Sequence, residues 1–397
     1  MRTWFAFSLG LLALVGHAEA QQPRWYKGNT HSHAKTWLPI PHGDSSPERM
    51  ARWYKERGYR FLCLSDHNRV GWERKAADLV DATFVLITGS EVSTDTRAMP
   101  VYRKLHPSAP DRVVHTTALG IDPDGWDARI WRAFGPQSSV VDILRTHRQA
   151  TERAGGLTIL NHPNFRDPIT ADDVIAAGIG LFEVHNAYPH ARNEAGPQRL
   201  STEQLWDAVL SRGHRLLGVA SDDAHHTRSW NVWLTERAGI RAEPGGGWIM
   251  VRATSLAPDA LVAAIRAGDF YASSGVTLAA LEVGAQRVAL RVDLAASQAE
   301  AAQDWVWSAA ATVAEPPGVR IEFVTRDGRV ARTVDGPAGE VALAAVTDYV
   351  RARVRLVVQR GGETRAFFAW TQPVFVPAAG AAPAAPTSGL TGALPGQ

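Results

Sequence analysis

The stretch Gly28-Asn29-Thr30-His31-Ser32-His33 closes an apolar run that begins at Trp25. Successive side chains of a strand alternate between its faces. His31 and His33 therefore point the same way, and both imidazoles can meet one metal ion. With 14 histidines in 397 residues, one His-x-His pair is roughly an even chance. The pair gains weight from the residues at the ends of the other apolar runs. Strands are expected at residues 25–31, 60–65, 84–89, 113–120, 157–160, 179–184 and 215–220. Asp66-His67 comes after the second, Glu91 after the third and His162 after the fifth; His115 lies within the fourth, and Asp223-Ala224-His225 comes after the seventh. A potential ligand thus falls at or near the C-terminal end of almost every expected strand, the face where α/β barrels gather their active sites. Chance would have scattered these residues over helices and strand starts as well.

Helical patterns fill most of the intervals. Ser46-Pro47-Glu48 supplies an N-cap serine, a proline at the first helical position and an early acid, and Met50, Trp53 and Tyr54 share one face. Ser201-x-x-Gln204 has the form of a capping box, and a helix near residues 258–267 stops at Gly268. Repeated strand–helix units imply a parallel sheet, and this many suggest a barrel. From residue 276 the character changes. Runs at 278–283, 288–292, 319–324, 350–359 and 364–370 read as strands without intervening helices, as in a small antiparallel β-sandwich over 276–376. The Ala/Pro/Gly/Thr-rich segment 377–397 reads as a disordered tail.

Residues 1–20 form a separate unit: Arg2, then an apolar run from Trp4 to Val15 broken only by Ser8 and Gly10, then Ala18-Glu19-Ala20. This is the pattern of a secretory signal peptide cut after Ala20, and the run is shorter than the ~18 residues a membrane span needs. The mature chain is expected to be exported, to the periplasm or beyond, without a stable membrane span. Lys+Arg 42 against Asp+Glu 40 leaves no basic excess, which argues against a dedicated nucleic-acid partner. The single cysteine, Cys63, lies in an apolar run and reads as core.

His-x-His, then Asp-His after an apolar strand, an isolated Glu, a lone His, Asn161-His162-Pro163 and Asp223-x-His225 form an ordered set that resembles the PHP (polymerase and histidinol phosphatase) superfamily. The stretches Gly28–His33, Gly43-Asp44-Ser45-Ser46-Pro47-Glu48 and Leu64-Ser65-Asp66-His67-Asn68 are similar to its stand-alone bacterial members. The resemblance covers roughly residues 25–275, within an expected domain of 21–275. It implies a distorted seven-stranded (β/α) barrel holding two or three divalent metals, Zn, Mn or Fe. Carried over position by position, it implies that His31 and His33 bind a first metal with Glu91 and Asp223. Glu91 would bridge to a second held by His115 and His162, and His67, His225 and His42 would bind a third. A bridging water would be the nucleophile, and Asp66 a proton acceptor or outer partner.

Two departures bear on this set. His42 lies nine residues beyond His33, further than the third histidine of the motif usually stands, and Asp222 competes with Asp223 as the ligand. Arg69 and Arg228 are expected to reach the mouth and bind substrate oxygens. Residues 95–111 read as a lid, and Trp37, Trp230 and Trp233 as pocket walls or core. His17, His106, His147, His185, His190 and His214 lack motif partners, and His226 only neighbours the set. The expected activity is a metal-dependent hydrolase acting on a small phosphate ester. A carbamate, amide or carboxylic-ester hydrolase is the second reading, and a non-catalytic metal- or glycan-binding module the third.

Overall fold

Gly28 sets the register between β1 (Arg24–Asn29) and β2 (Phe61–Cys63). It pairs directly with Phe61, whose ring lies where any Cβ at position 28 would stand. The computed structural model describes residues 22–35, 43–95, 112–127, 129–130, 134, 138–227 and 242–376. The leader 1–20, the tail 377–397, the segment 96–111, His17, Trp37, His42, His106, Arg228, Trp230 and Trp233 lie outside them. Among the described residues no helix is long and apolar enough to cross a membrane.

β1, β2 and β3 (Val85–Ile87) run parallel. A second sheet follows in sequence order: β4 (Gly89–Asp95), β5 (Val113–Leu119), β6 (Leu157–Leu160), β7 (Leu181–Asn186) and β8 (Leu217–Ser221). Its β4–β5 and β5–β6 pairs are antiparallel, and β6–β7–β8 are parallel. β9 (Trp248–Ala253) then returns antiparallel to the free edge of β1, and β10 (Phe270–Ser273) pairs antiparallel with β9.

The helices lie between these strands, and each of the three starts read from sequence is present. α1 (Pro47–Glu56) is capped by the Ser46 side chain; α2 (Val140–Arg153) and α3 (Ala171–Ala177) follow β5 and β6. α4 (Thr202–Leu210) opens with the Ser201/Gln204 capping box, and α5 (Pro258–Ala267) ends at Gly268 in the left-handed conformation.

The pairing does not close the expected distorted seven-stranded (β/α) barrel. The strands divide between open, mixed sheets that touch near their ends at two single bridges, Ser32 to Ala224 and His67 to Glu91. Two further differences have separate causes. The third expected strand breaks at Thr88, so Glu91 lies inside β4 rather than after a strand. β9 pairs with β1 and β10 with residues 369–371, distant partners that periodicity within one segment cannot register.

The C-terminal strands are β11 (Leu278–Val283), β12 (Arg287–Val292), β13 (Ala311–Thr312), β14 (Gly318–Thr325), β15 (Arg329–Asp335), β16 (Ala338–Ala342), β17 (Tyr349–Arg360), β18 (Glu363–Thr371) and β19 (Val374–Phe375). Contrary to the helix-free expectation, α6 (Leu294–Ala301) and α7 (Asp304–Ala309) intervene. This region is not a free-standing sandwich. β18 pairs with β10, so one sheet runs β15-β14-β17-β18-β10-β9-β1-β2-β3, while β11-β12-β16 form a small sheet of their own. The apolar core crosses the same line: Tyr54, Leu62 and Trp248 pack in one cluster with Leu290, Phe323 and Val354. Polar contacts cross it too. Arg351 on β17 is buried and grips Asp207 of α4 through both carboxylate oxygens, at 2.7 and 2.9 Å.

Candidate metal centre

Backbone hydrogen bonds hold the strand ends that carry the ligands. His33 N donates to Ala224 O (2.8 Å), Asp223 N to His31 O (3.0 Å), Ser65 N to Ser32 O (2.9 Å) and Glu91 N to Ser65 O (2.7 Å). Asn161 N donates to His115 O (3.1 Å), which ties β5 to the turn before His162. Two of the expected ligands depart from ordinary backbone geometry: φ is 22° at His162 and 50° at Asp223. For residues with a Cβ such angles cost roughly 1–3 kcal/mol each and persist where surrounding contacts fix them.

Eight of the nine expected ligands come together; the ninth, His42, lies outside the described residues. His31 Nε2 stands 3.1 Å from His33 Nε2, 3.4 Å from Glu91 Oε1 and 3.3 Å from Asp223 Oδ1. His33 Nε2 is 3.4 Å from Glu91 Oε2 and 3.1 Å from Asp223 Oδ1. Around Glu91 gather His67 Nδ1 (2.8 Å), His115 Nδ1 (3.1 Å) and His162 Nε2 (3.2 Å). His162 Nε2 is also 3.8 Å from Asp223 Oδ2, and His225 Nδ1 is 3.7 Å from Asp223 Oδ1. Four overlapping triads have donor atoms within 4.8 Å of one another: His31/His33/Glu91, His31/His162/Asp223, His67/Glu91/His115 and His33/His67/His225.

Two nitrogens on one tetrahedral zinc stand about 3.3 Å apart, given Zn–N bonds of about 2.05 Å. The separations in the cluster match that spacing. His33 Nδ1 is buried yet makes no hydrogen bond among the described residues. Imidazoles and carboxylates so placed fit divalent transition metals by donor type and spacing.

Electrostatics at the two acids, at His33 and at His225 agree with that donor role. Burial favours the neutral acid at Glu91, but His67, His31 and His115 hold its pKa well below the usual carboxylate range. Burial acts the same way on Asp223, and His31, His33 and His225 outweigh it. Burial, aided by the His225 and His67 rings, drives His33 well below the ordinary imidazole range. Burial also brings His225 down to about 4. At His31 burial is overcome by Asp223, Glu91 and Glu183, and its pKa rises.

The neighbouring aspartates face different partners. Asp223 turns its carboxylate to the imidazoles. Asp222 turns away and accepts from Asn29 Nδ2, Tyr54 OH and Gly247 N, each at 2.8 Å. A Cβ on Gly247 would meet the Ser221 carbonyl, so glycine is needed for that approach. Asp66 is fully buried; its Oδ1 accepts from Ala34 N (2.9 Å) and its Oδ2 has no hydrogen-bond partner among the described residues. Burial raises its pKa to about 7. Arg69 is half-buried beside Asp66, its guanidinium 5.7 Å from the Trp72 ring.

Among the described residues, the histidines without motif partners stay out of the cluster. His147 is buried between the hydroxyls of Thr94 (2.9 Å) and Thr116 (3.0 Å), and His214 Nε2 donates to Ile179 O (2.7 Å). His185 stacks on Trp370, His190 is exposed, and His226 sits 3.9 Å from Asp44.

Four contributors were missed in the sequence. Glu183 accepts from His31, and Asn161 donates to Glu91 Oε1 (2.9 Å). Phe165 packs over His162 and His115, with ring centroids 5.0 and 6.0 Å away, and Tyr188 lies 5.5 Å from His225. A signal for Glu183 was present: an acid inside the otherwise apolar run Leu181-Phe182-Glu183-Val184.

No family model and no curated relative matches the chain. Three solved structures are among those to which it is similar. A two-domain protein from Bacteroides vulgatus containing a predicted PHP-like metal-dependent phosphoesterase is 13% identical over 89% of this chain and 95% of its own, with a TM-score of 0.41. A protein assigned as a metal-dependent phosphoesterase from Bifidobacterium adolescentis is 14% identical over 51% of this chain and 89% of its own, with a TM-score of 0.33. An amidohydrolase from Chromobacterium violaceum, with sulfate and no metal bound, is 16% identical over 54% of this chain and 98% of its own, with a TM-score of 0.34. These likenesses are distant, and the chemistry of the site is read from its own residues.

Proposed function

We propose that the chain is a metal-dependent hydrolase of small esters, and that its substrate carries a phosphate ester. The observation that supports this reading is the convergence of six imidazoles on Glu91 and Asp223 in one buried cluster. Divalent ions held there would supply a water of lowered pKa and neutralise charge on the leaving oxygen.

The chain's own residues complete the chemistry. Glu91, reached by imidazoles on both oxygens, would hold metal together with them. Asp66 is the candidate proton carrier: it precedes His67 in the chain, and its buried Oδ2 has no hydrogen-bond partner among the described residues. Arg69 follows on the same turn and is a candidate for the non-bridging oxygens; Arg228 joins it on the sequence reading alone. A guanidinium reaching those oxygens would match the charge that builds up on a phosphoryl transition state.

One observation favours a second reading, hydrolysis of an amide, carbamate or carboxylic ester. Phe165 and Tyr188 form an aromatic wall over the imidazoles, their rings 6.2 Å apart, which suits an apolar acyl or leaving group better than a highly charged one. A panel of phosphomonoesters, phosphodiesters, carboxylic esters and carbamates, each with Zn, Mn and Fe, separates the two. Turnover confined to the phosphate series supports the first reading, and turnover confined to the others rejects it. Export through the 1–20 leader belongs to the same proposal and is checked by sequencing the N-terminus of the chain recovered outside the cytoplasm.

A further inference from the structure

Glu183 is the one acid in the middle of β7, and it is 1% exposed. A buried carboxylate is costly unless donors satisfy it. Glu183 has four, from four different parts of the chain. Oε1 accepts from His31 Nδ1 (2.8 Å) and from the Ser221 hydroxyl at the end of β8. Oε2 accepts from the backbone N–H of His162 (2.6 Å) and from Asn186 Nδ2 (2.7 Å). Asn186 in turn reaches Asp223 Oδ2 at 3.4 Å.

We infer that Glu183 is the positioning residue of the metal centre: it sets the tautomer of His31 and holds His162 in its unusual backbone conformation, so that both imidazoles aim their Nε2 atoms at the metals. The inference rests on the metal-hydrolase reading above. A carboxylate only accepts, so His31 must carry its proton on Nδ1. That leaves the Nε2 lone pair for coordination, on the side where His33, Glu91 and Asp223 converge. At His162 the bond is to the main chain. It therefore fixes the φ of 22° from which the ring reaches Glu91, and not the ring itself. One carboxylate thus joins ligands carried after β1 and β6 to the ends of β7 and β8, among strands that no continuous ladder closes into a ring.

The test uses the full mature chain and zinc alone, titrated against a chromophoric chelator. Glu183→Gln replaces one acceptor oxygen by an NH2 group, which must face two donors whichever way the amide turns. Zinc affinity is expected to fall about 10- to 100-fold, the usual effect of losing a partner that orients a ligand. Unchanged affinity in Glu183→Gln, with tight binding by the unaltered chain, overturns this inference alone. Absence of zinc binding by the unaltered chain overturns the metal-centre reading and this inference with it. If Glu183→Gln does not fold, long-range 1H–15N spectra of the zinc-loaded natural sequence decide the matter. A His31 ring protonated at Nδ1 and coordinated through Nε2 supports the assignment; the opposite tautomer overturns it.

Discussion

The Nε2 atoms of His31 and His33 stand 3.1 Å apart in a fully buried setting, and Asp223 Oδ1 lies within 3.3 Å of both. Two neutral imidazoles can share only one proton between those nitrogens, whereas a single cation satisfies both lone pairs and the carboxylate together. Purified mature chain should contain two to three equivalents of transition metal by elemental analysis. His31→Ala with His33→Ala should lose metal and turnover while keeping its far-ultraviolet dichroism. A metal-free natural chain under metal-replete conditions, or an active double variant, would refute the assignment.

Asp66 separates proton transfer from metal binding. Its carboxyl is buried, one oxygen makes no hydrogen bond among the described residues, and it contributes to none of the four ligand triads. Asp66→Asn should lower kcat on the order of 10²- to 10⁴-fold, the usual worth of a general acid or base, with metal content unchanged. A variant that loses metal in proportion to activity would make Asp66 a ligand or a support instead.

Phe165 and Tyr188 should act on substrate rather than on metal. Phe165→Ala is expected to raise KM for substrates with an apolar leaving group more than for compact ones, measured as the ratio of kcat/KM between the two. Equal losses for both substrate types would assign Phe165 to packing.

His147 gives the fold a defined acid sensitivity. Burial, with His115 nearby, brings its pKa from 6.5 down to about 3. Between those two values the unfolded chain binds the proton and the folded chain does not. This residue's contribution to stability is therefore complete above about pH 6.5 and is lost as pH falls, at up to ~1.4 kcal/mol per unit, levelling off near pH 3. His147→Gln should flatten that part of the profile in urea titrations run from pH 7 to pH 4. An unchanged slope would place the acid sensitivity elsewhere.

Arg351 ties the C-terminal strands to α4 through Asp207 and Glu203. Arg351→Met leaves Asp207 buried without its cation, at a cost on the order of 3–5 kcal/mol. The melting temperature should drop, while activity per folded molecule stays the same. Truncation after residue 275 should be more severe, because it strips β18 from β10 and opens the shared core. A soluble, metal-binding fragment 21–275 would show that the shared sheet is dispensable.

Much of the site could be read from local pattern, because ligand type and strand periodicity are local. His31 and His33 had to share a face, and His67, His115, His162 and His225 stood near apolar runs that are strands here. Helix starts were equally local: Ser46 and Ser201 each satisfy an N–H three residues on. Glu183 escaped notice because its donors come from positions 152, 38 and 21 residues away, along with one on its own strand.

The sequence by itself determined which residues could bind metal, in what order they come, and where the strands that carry most of them and the helices opened by Ser46 and Ser201 lie. Each follows from side-chain chemistry and backbone preference within a few residues. Tertiary structure alone decided the rest. It turned Asp223 and not Asp222 to the imidazoles, through a left-handed backbone at residue 223 and a separate set of donors for Asp222. It split the expected barrel into open mixed sheets, and it joined β18 to β10 across the expected domain boundary. Strand pairing and carboxylate direction depend on partners brought together by the packed core, and those partners lie too far along the chain for local periodicity to specify.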